Sequence, residues 1–168
     1  MSKGTMLFCA LAALSLAGAA RAQAPAPTAP ARQATPYGPA VSLEEAQKIA
    51  AAAIEEAKKV SVAPDAIAIV DPEGVLIYFA RMDNTQIGSV RVAIGKARSA
   101  ALFRRPTKVF ADLLAKGNTL PLGLRGAVPL EGGLPLIANG KIVGAIGASG
   151  GTGAQDGQVA AAGAAVLK

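Results

Sequence analysis

From Ser42 onward, apolar positions fall first at helical and then at strand spacing. Leu43, Ala46, Ile49, Ala50, Ala53, Ile54 and Ala57 recur three and four residues apart, which gathers them on one helical stripe. Ser42 with Glu45 three residues on makes a capping box, so this helix is expected over 43–59. Two short apolar runs, 66–70 and 75–81, flank Asp71-Pro72-Glu73-Gly74 and read as a β-hairpin, with proline where the turn needs its fixed φ. A second helix is expected over 89–103, where Gly95 is the only breaker. A glycine there costs about 1 kcal/mol relative to alanine, and close packing against another backbone is the expected reason for it. Arg104-Arg105-Pro106 ends that helix, and a third follows over 107–115, closed by Gly117.

The Gly- and Pro-rich stretch 118–133 reads as a loop with a short strand at 127–130, and connections of that length in compact domains are frequently functional. Asn139-Gly140 between runs 134–138 and 141–149 marks a type I′ hairpin. A glycine-rich turn, 147–153, leads into a last, Ala-rich helix over 155–167, whose small residues suit close packing against a neighbouring subunit or the chain's own core. Two hairpins without strand-helix-strand alternation predict an α+β domain, an antiparallel sheet flanked by helices.

Upstream of this domain the pattern changes. Lys3 precedes a short run of apolar and small residues, 6–20, and Ala20 and Ala22 form an A-x-A site, the signature of a secretory signal peptide over 1–22. The run falls short of the ~20 apolar residues a membrane-spanning helix needs. Cys9 lacks the small residues that precede a lipidated cysteine, so the chain is expected to be soluble after cleavage, with no membrane insertion, and periplasmic or secreted. Residues 23–40, built of Ala, Pro, Gln and Thr, form a disordered leader that cannot bury enough surface to order itself. The domain is then 41–168, enough for one core.

Composition removes whole classes of chemistry. The chain has no histidine, no tryptophan and one cysteine, Cys9, which leaves with the signal. Cys/His zinc sites, thiol nucleophiles and histidine acid-base chemistry are excluded, and no metal site is expected. The formal net charge is +6 for the whole chain. The exported chain is only mildly basic, and its aromatics are limited to Tyr37, Tyr78, Phe79, Phe103 and Phe110, which argues against nucleic-acid binding. Its cations cluster between Arg81 and Lys116, where they suit a small anionic ligand, although a solvated helix face explains any single one.

Within that cluster, Lys96 lies in a buried-looking stretch and Arg98 points about 200° away from it around the helix. Lys96 is a ligand-binding candidate, or else bridges to a carboxylate such as Asp71 or Glu131. Arg98, Arg104 and Arg105 are further candidate anion contacts. The loop 126–133 offers Glu131 and the two glycines Gly132 and Gly133, which let a ligand approach the main chain, or it is a rigid turn at a subunit contact. Ser149 and Gly150 lie in the turn before the last helix, where free amides and the helix dipole favour an anion, or that turn is structural only. The Lys of a phosphate loop is missing, so nucleotide hydrolysis is not expected. Asp156, in the first turn of that helix, is explained by the dipole alone.

Five strings occur in an order that resembles the GlcG/HbpS family, which includes the C-terminal domain of PduO proteins. They are Ile69 to Gly74, Arg81-Met82-Asp83, Gly95 to Phe103, Gly126 to Pro135, and Gly144 to Gly150 followed by Ala154-Gln155-Asp156. The resemblance implies a profilin-like three-layer α/β/α fold with a central antiparallel sheet, and a homo-oligomer. It also implies haem or another tetrapyrrole as ligand for some members. Histidine ligation of haem iron cannot be carried over, nor can the E-x-x-E pattern of secreted members, since this chain has neither. Substitutes for an axial ligand are Tyr78, Met82 and Thr107, with core packing the competing role for Tyr78. The expected function is non-catalytic binding of a small anionic ligand, haem being the one the resemblance names. The alternatives are an enzyme acting on a small hydroxy or oxo carboxylate through Lys96 and Glu131, and a structural or partner-binding module.

Overall fold

A computed structural model describes residues 34–60 and 63–167. The expected signal peptide and the first part of the leader lie outside the described residues. The element order is α1 (Leu43–Val60), β1 (Ala66–Val70), β2 (Leu76–Arg81), α2 (Ile87–Phe103), α3 (Lys108–Ala115), α4 (Leu120–Gly123), β3 (Gly133–Ala138), β4 (Lys141–Ser149) and α5 (Gly153–Ala164), closed by a 3₁₀ turn at Ala165–Leu167. The four strands form one antiparallel sheet in the order β2-β1-β4-β3. Both hairpins are present, and Asn139 and Gly140 take φ of 51° and 70°, as a type I′ turn requires.

Helices cover both faces of the sheet, giving the three-layer α/β/α arrangement. On one face α1 and α5 pack against Ile67, Ile69, Leu136, Ile146 and Ala148, with Ile49 and Val159 as large buried helical contributions. The α1 stripe is as the spacing predicts, and Ser42 and Glu45 bond reciprocally at its start (2.8 Å and 3.2 Å). On the other face α2 lays Ala93, Ala97, Ala100 and Ala101 on Ala66, Ala68, Val70 and Ala145. These side chains are so short that α2 backbone rests on the sheet itself: a Cβ on Gly147 of β4 would collide with the Ala93 carbonyl and the Ala97 amide. Close approach is therefore made by a strand glycine. Gly95, for which backbone packing was the expected reason, faces the Val128 side chain at 3.3 Å.

The structure corrects the expected strand and the start of the last helix. No strand forms at 127–130: the Val128 amide donates to Ser99 Oγ (3.1 Å) and the Ala127 amide to the Leu124 carbonyl (3.0 Å), so these residues turn against α2 and α4. The last helix starts at Gly153, two residues early, because Thr152 and Gln155 form a capping box of their own. The small residues of α5 are spent largely within the chain: a Cβ on Gly163 would meet Ile146 Cδ1 at 2.6 Å and the Ile49 carbonyl at 2.9 Å, so α5 sits tight on α1 and the sheet. The segment expected to be leader through Ala40 is hydrogen-bonded from Pro36 on. The Ile142 amide donates to the Pro36 carbonyl (2.8 Å), the Gly38 amide to the Ile142 carbonyl (2.8 Å) and the Val41 amide to the Val143 carbonyl (2.9 Å). This segment takes the β4 edge that β1, ending at Val70 opposite Ala145, leaves open.

Candidate functional site

The densest polar cluster lies where β4 runs into α5. Lys96 points from α2 past the end of the sheet and donates to Asp156 Oδ2 at 2.6 Å and to the Ala148 carbonyl at 2.9 Å. Both side chains are about 95 % or more buried. The other Asp156 oxygen accepts the Gly150 and Gly151 amides at 3.2 Å and 2.9 Å. The Gly150 and Gly151 amides of the glycine-rich turn are thus engaged by the chain's own carboxylate. Burial pushes the Asp156 carboxyl up, while Lys96 and the two amides pull it back. Every group touching its oxygens is a donor, which is the setting of an ionised carboxylate. Lys96 bridges to a carboxylate as one reading held, but to neither Asp71 nor Glu131. Gly132, at φ 121°, leaves the room this needs, since a Cβ there would lie 2.8 Å from Lys96 Nζ.

A second carboxyl stands beside this pair. Asp65, at the entry to β1, is fully buried, and neither of its carboxyl oxygens has a hydrogen-bond partner among the described residues. Its main chain is well tied: the amide donates to Met82 Sδ (3.4 Å), and the carbonyl accepts from the Met82 amide (3.0 Å) and the Thr85 hydroxyl (3.1 Å). Burial, and after it the charge of Asp156, push the Asp65 pKa up to about 6, with the Gly151 amide and Lys96 acting the other way.

The remaining sequence candidates scatter. Glu131 lies over α5, where a Cβ on Gly157 would come within 2.7 Å of its Oε1, and its nearest cation is Lys108 at 3.8 Å. Gly133 packs on the Lys96 carbonyl and on Thr107, and its amide donates to Thr107 Oγ1 (2.9 Å). Ser149 is buried with its hydroxyl 3.3 Å from that of Ser89. Arg98 donates to the Gly74 carbonyl (2.9 Å) and so holds the β1–β2 turn.

Arg104 and Arg105 form a different group, at the corner between α2 and α3. Arg104 caps α2 in the left-handed region, φ 53°, and its guanidinium lies 4.2 Å above the Tyr37 ring. Arg105 lies 5.8 Å over Phe110, which meets Phe103 edge-on at 5.2 Å. Neither arginine has a carboxylate partner among the described residues. Leu102 and Val109 are exposed alongside, and a groove of about 530 Å³ whose lining includes Tyr37, Pro39, Leu102, Asp71, Pro72 and Glu73 opens beside them.

The candidate axial ligands are placed unequally. Thr107 is fully buried with its oxygen engaged by Gly133. Tyr78 pairs with Ile69 on the α1 face and packs against that core. Met82 lines a surface groove of about 400 Å³ together with Ile54, Lys58, Pro64, Arg81 and Asp83. That groove is on the α1 side of the sheet, whereas the arginine corner is at the end of α2 on the opposite side.

Residues 41–165 match the family described as haem degrading protein HbpS-like. The chain belongs to this family. It is 42% identical to Protein GlcG of Escherichia coli (strain K12) over 109 residues, which is 65% of this chain and 81% of GlcG. Among solved structures, a double mutant of Streptomyces reticuli HbpS superposes with a TM-score of 0.70 at 36% identity, covering 87% of this chain and 99% of that one. A PduOC–heme complex superposes with a TM-score of 0.69 at 28% identity, covering 77% and 96%. The GlcG/HbpS resemblance and the fold it implied are thereby established for this chain. Among the described residues no helix is long and apolar enough to cross a membrane.

Sequence reasoning missed Asp65 and Asp156 as members of the cluster. Asp156 carried a readable signal: it lies in phase with Val159, Ala160 and Gly163, the buried face of α5. Lys96 is likewise in phase with Ala93, Ala97 and Ala100 on α2. Opposite charges on two apolar stripes call for each other, because neither can be buried alone.

Proposed function

We propose that the protein is exported and binds, without transforming it, a planar amphiphilic anion of the haem type at the corner between α2 and α3. The observation that carries this reading is the pair Arg104 and Arg105. Two guanidinium groups stacked on aromatic rings, without carboxylate partners among the described residues and beside exposed Leu102 and Val109, match a ring that bears carboxylates. Family membership and the heme complex of PduOC support the same ligand class. The corner suits propionates and an apolar ring. None of the three candidate iron ligands lies free at the corner: Thr107, the nearest of them in the chain, is fully buried and bonded to Gly133. A non-catalytic role is supported by Lys96, which is buried and held by Asp156 and the Ala148 carbonyl, while Glu131 pairs with Lys108 instead.

Titration with hemin and with metal-free protoporphyrin tests this. The two are expected to bind within about threefold of each other, and Arg104→Ala with Arg105→Ala together should weaken both about tenfold, equivalent to about 1.4 kcal/mol. Unchanged affinity in the double variant overturns the corner as the site. A hemin-specific Soret shift lost in Met82→Leu places the ligand instead in the Met82 groove, where Lys58 and Arg81 would face its carboxylates.

The reading includes a homo-oligomer. α5 keeps an outward stripe of Ala154, Gln158 and Ala161, and Leu120, Leu122 and Leu130 are exposed in the segment that precedes β3. Closed symmetric assembly would cover such surface. Light scattering is expected to give a multiple of the protomer mass, reduced by Ala161→Glu. A protomer mass at micromolar concentration would sink the assembly, and an unchanged mass in the variant would remove α5 from it.

A further inference from the structure

Residues ahead of the family domain reach into the arginine corner. The family match begins at residue 41, yet the chain from Thr35 to Gly38 crosses the end of α2 and is pinned on both sides. On one side its backbone pairs with β4 at Ile142. On the other, the Tyr37 hydroxyl donates to the Ala101 carbonyl (2.9 Å) and lies 3.3 Å from the Leu102 carbonyl. These are carbonyls in the last turn of α2, of which that of Ala101 also accepts the Arg104 amide (3.3 Å). The Tyr37 ring is then the surface on which the Arg104 guanidinium lies, and a 3.5 Å contact from Arg104 Nη1 to the Thr35 carbonyl holds the same side chain from its edge.

An exposed arginine at a helix end otherwise samples many rotamers, and ordering it on ligand binding costs free energy. A ring stacked beneath it removes much of that cost beforehand, and leaves most of its five N–H donors available to a carboxylate. We infer that Tyr37 is a positioning residue for Arg104, so that the segment preceding the family domain sets how strongly this chain recognises the carboxylates of its ligand. This rests on the corner being the ligand site. The ring supplies the effect, and the hydroxyl serves the helix end.

The ring and the hydroxyl can be separated by comparing Tyr37→Phe with Tyr37→Leu, using hemin and hemin dimethyl ester as probes. Tyr37→Leu is expected to weaken hemin about fivefold, the size of an exposed cation–π contact, and to leave the dimethyl ester, which has no free carboxylate, unchanged. Tyr37→Phe should bind hemin within about twofold of the parent even if its melting temperature falls. Hemin affinity unaltered by Tyr37→Leu overturns the inference, as does an equal loss for the ester, which would mean a general disturbance of the corner. Arg104→Ala is measured in parallel. If it weakens hemin while Tyr37→Leu does not, only the role of Tyr37 falls. If it has no effect, the corner reading fails and takes this one with it.

Discussion

Replacing Lys96 by methionine should destabilise the protein by about 3–5 kcal/mol, the cost of leaving one member of a buried ion pair behind. The methylenes of Lys96 are retained in shape, so packing changes little. What is lost is the cation against Asp156 Oδ2, and that carboxylate keeps only the Gly150 and Gly151 amides. Loss on this scale is a large share of the ~5–15 kcal/mol by which domains are stable. The double variant Lys96→Met with Asp156→Leu should cost several kcal/mol less than the two single changes added together, because no orphaned charge remains. Urea unfolding of the four proteins measures the coupling. Additive losses would show that the pair contributes nothing as a pair.

Asp65 should make the protein more stable in mild acid than at neutral pH. Its folded pKa of about 6 lies above the ordinary aspartate value, so the folded chain holds a proton that the unfolded chain releases. Below about pH 4 the group is protonated in both states and carries no penalty. As pH rises from about 4 to 6 the folded state binds more protons than the unfolded one, and stability falls. Above about 6 the penalty is complete, on the order of 2–3 kcal/mol. Asp156, also raised, acts in the same direction. Asp65→Asn removes the charge and keeps the shape. At pH 7.5 its melting temperature should exceed that of the parent, and the difference should shrink to nothing near pH 4. A difference independent of pH between 4 and 7.5 would show that Asp65 titrates normally in the fold.

The difference between these two aspartates explains how far the fold and its polar cluster could be read beforehand. α1, the β1–β2 hairpin, α2, α3 and the β3–β4 hairpin follow from periodicity, a capping box and two turn sequences, all of them local. The Lys96–Asp156 pair joins residues 60 positions apart, yet both ends are marked, since each is a charge on an otherwise apolar stripe. Asp65 has no such mark. A single Asp before a strand has the appearance of a turn residue, and only the tertiary position of Gly150 encloses it: a Cβ there would collide with Asp65 Oδ1. α4 was signalled by Pro121 near a helix start, but four residues are too few for a periodic pattern to register. The arginine corner was legible as charge and not as geometry, because the ring under Arg104 comes from a segment that composition alone assigns to the leader.

The methyl-sized packing of α2 on the sheet also determines how the protein will answer to mutagenesis. An alanine scan is blind along that face: Ala66, Ala68, Ala93, Ala97, Ala100, Ala101 and Ala145 are already what the scan would install. Deep mutational data would show there an asymmetry opposite to that of an aliphatic core, in which trimming harms most and enlargement is partly absorbed. At these alanines glycine is the only trimming left, and each added methyl lifts a helix off the strand beneath it. Tolerated substitutions at these seven alanines are accordingly expected to be the smallest residues, while the α1 and α5 side, with its Ile, Leu and Val, can exchange one large residue for another.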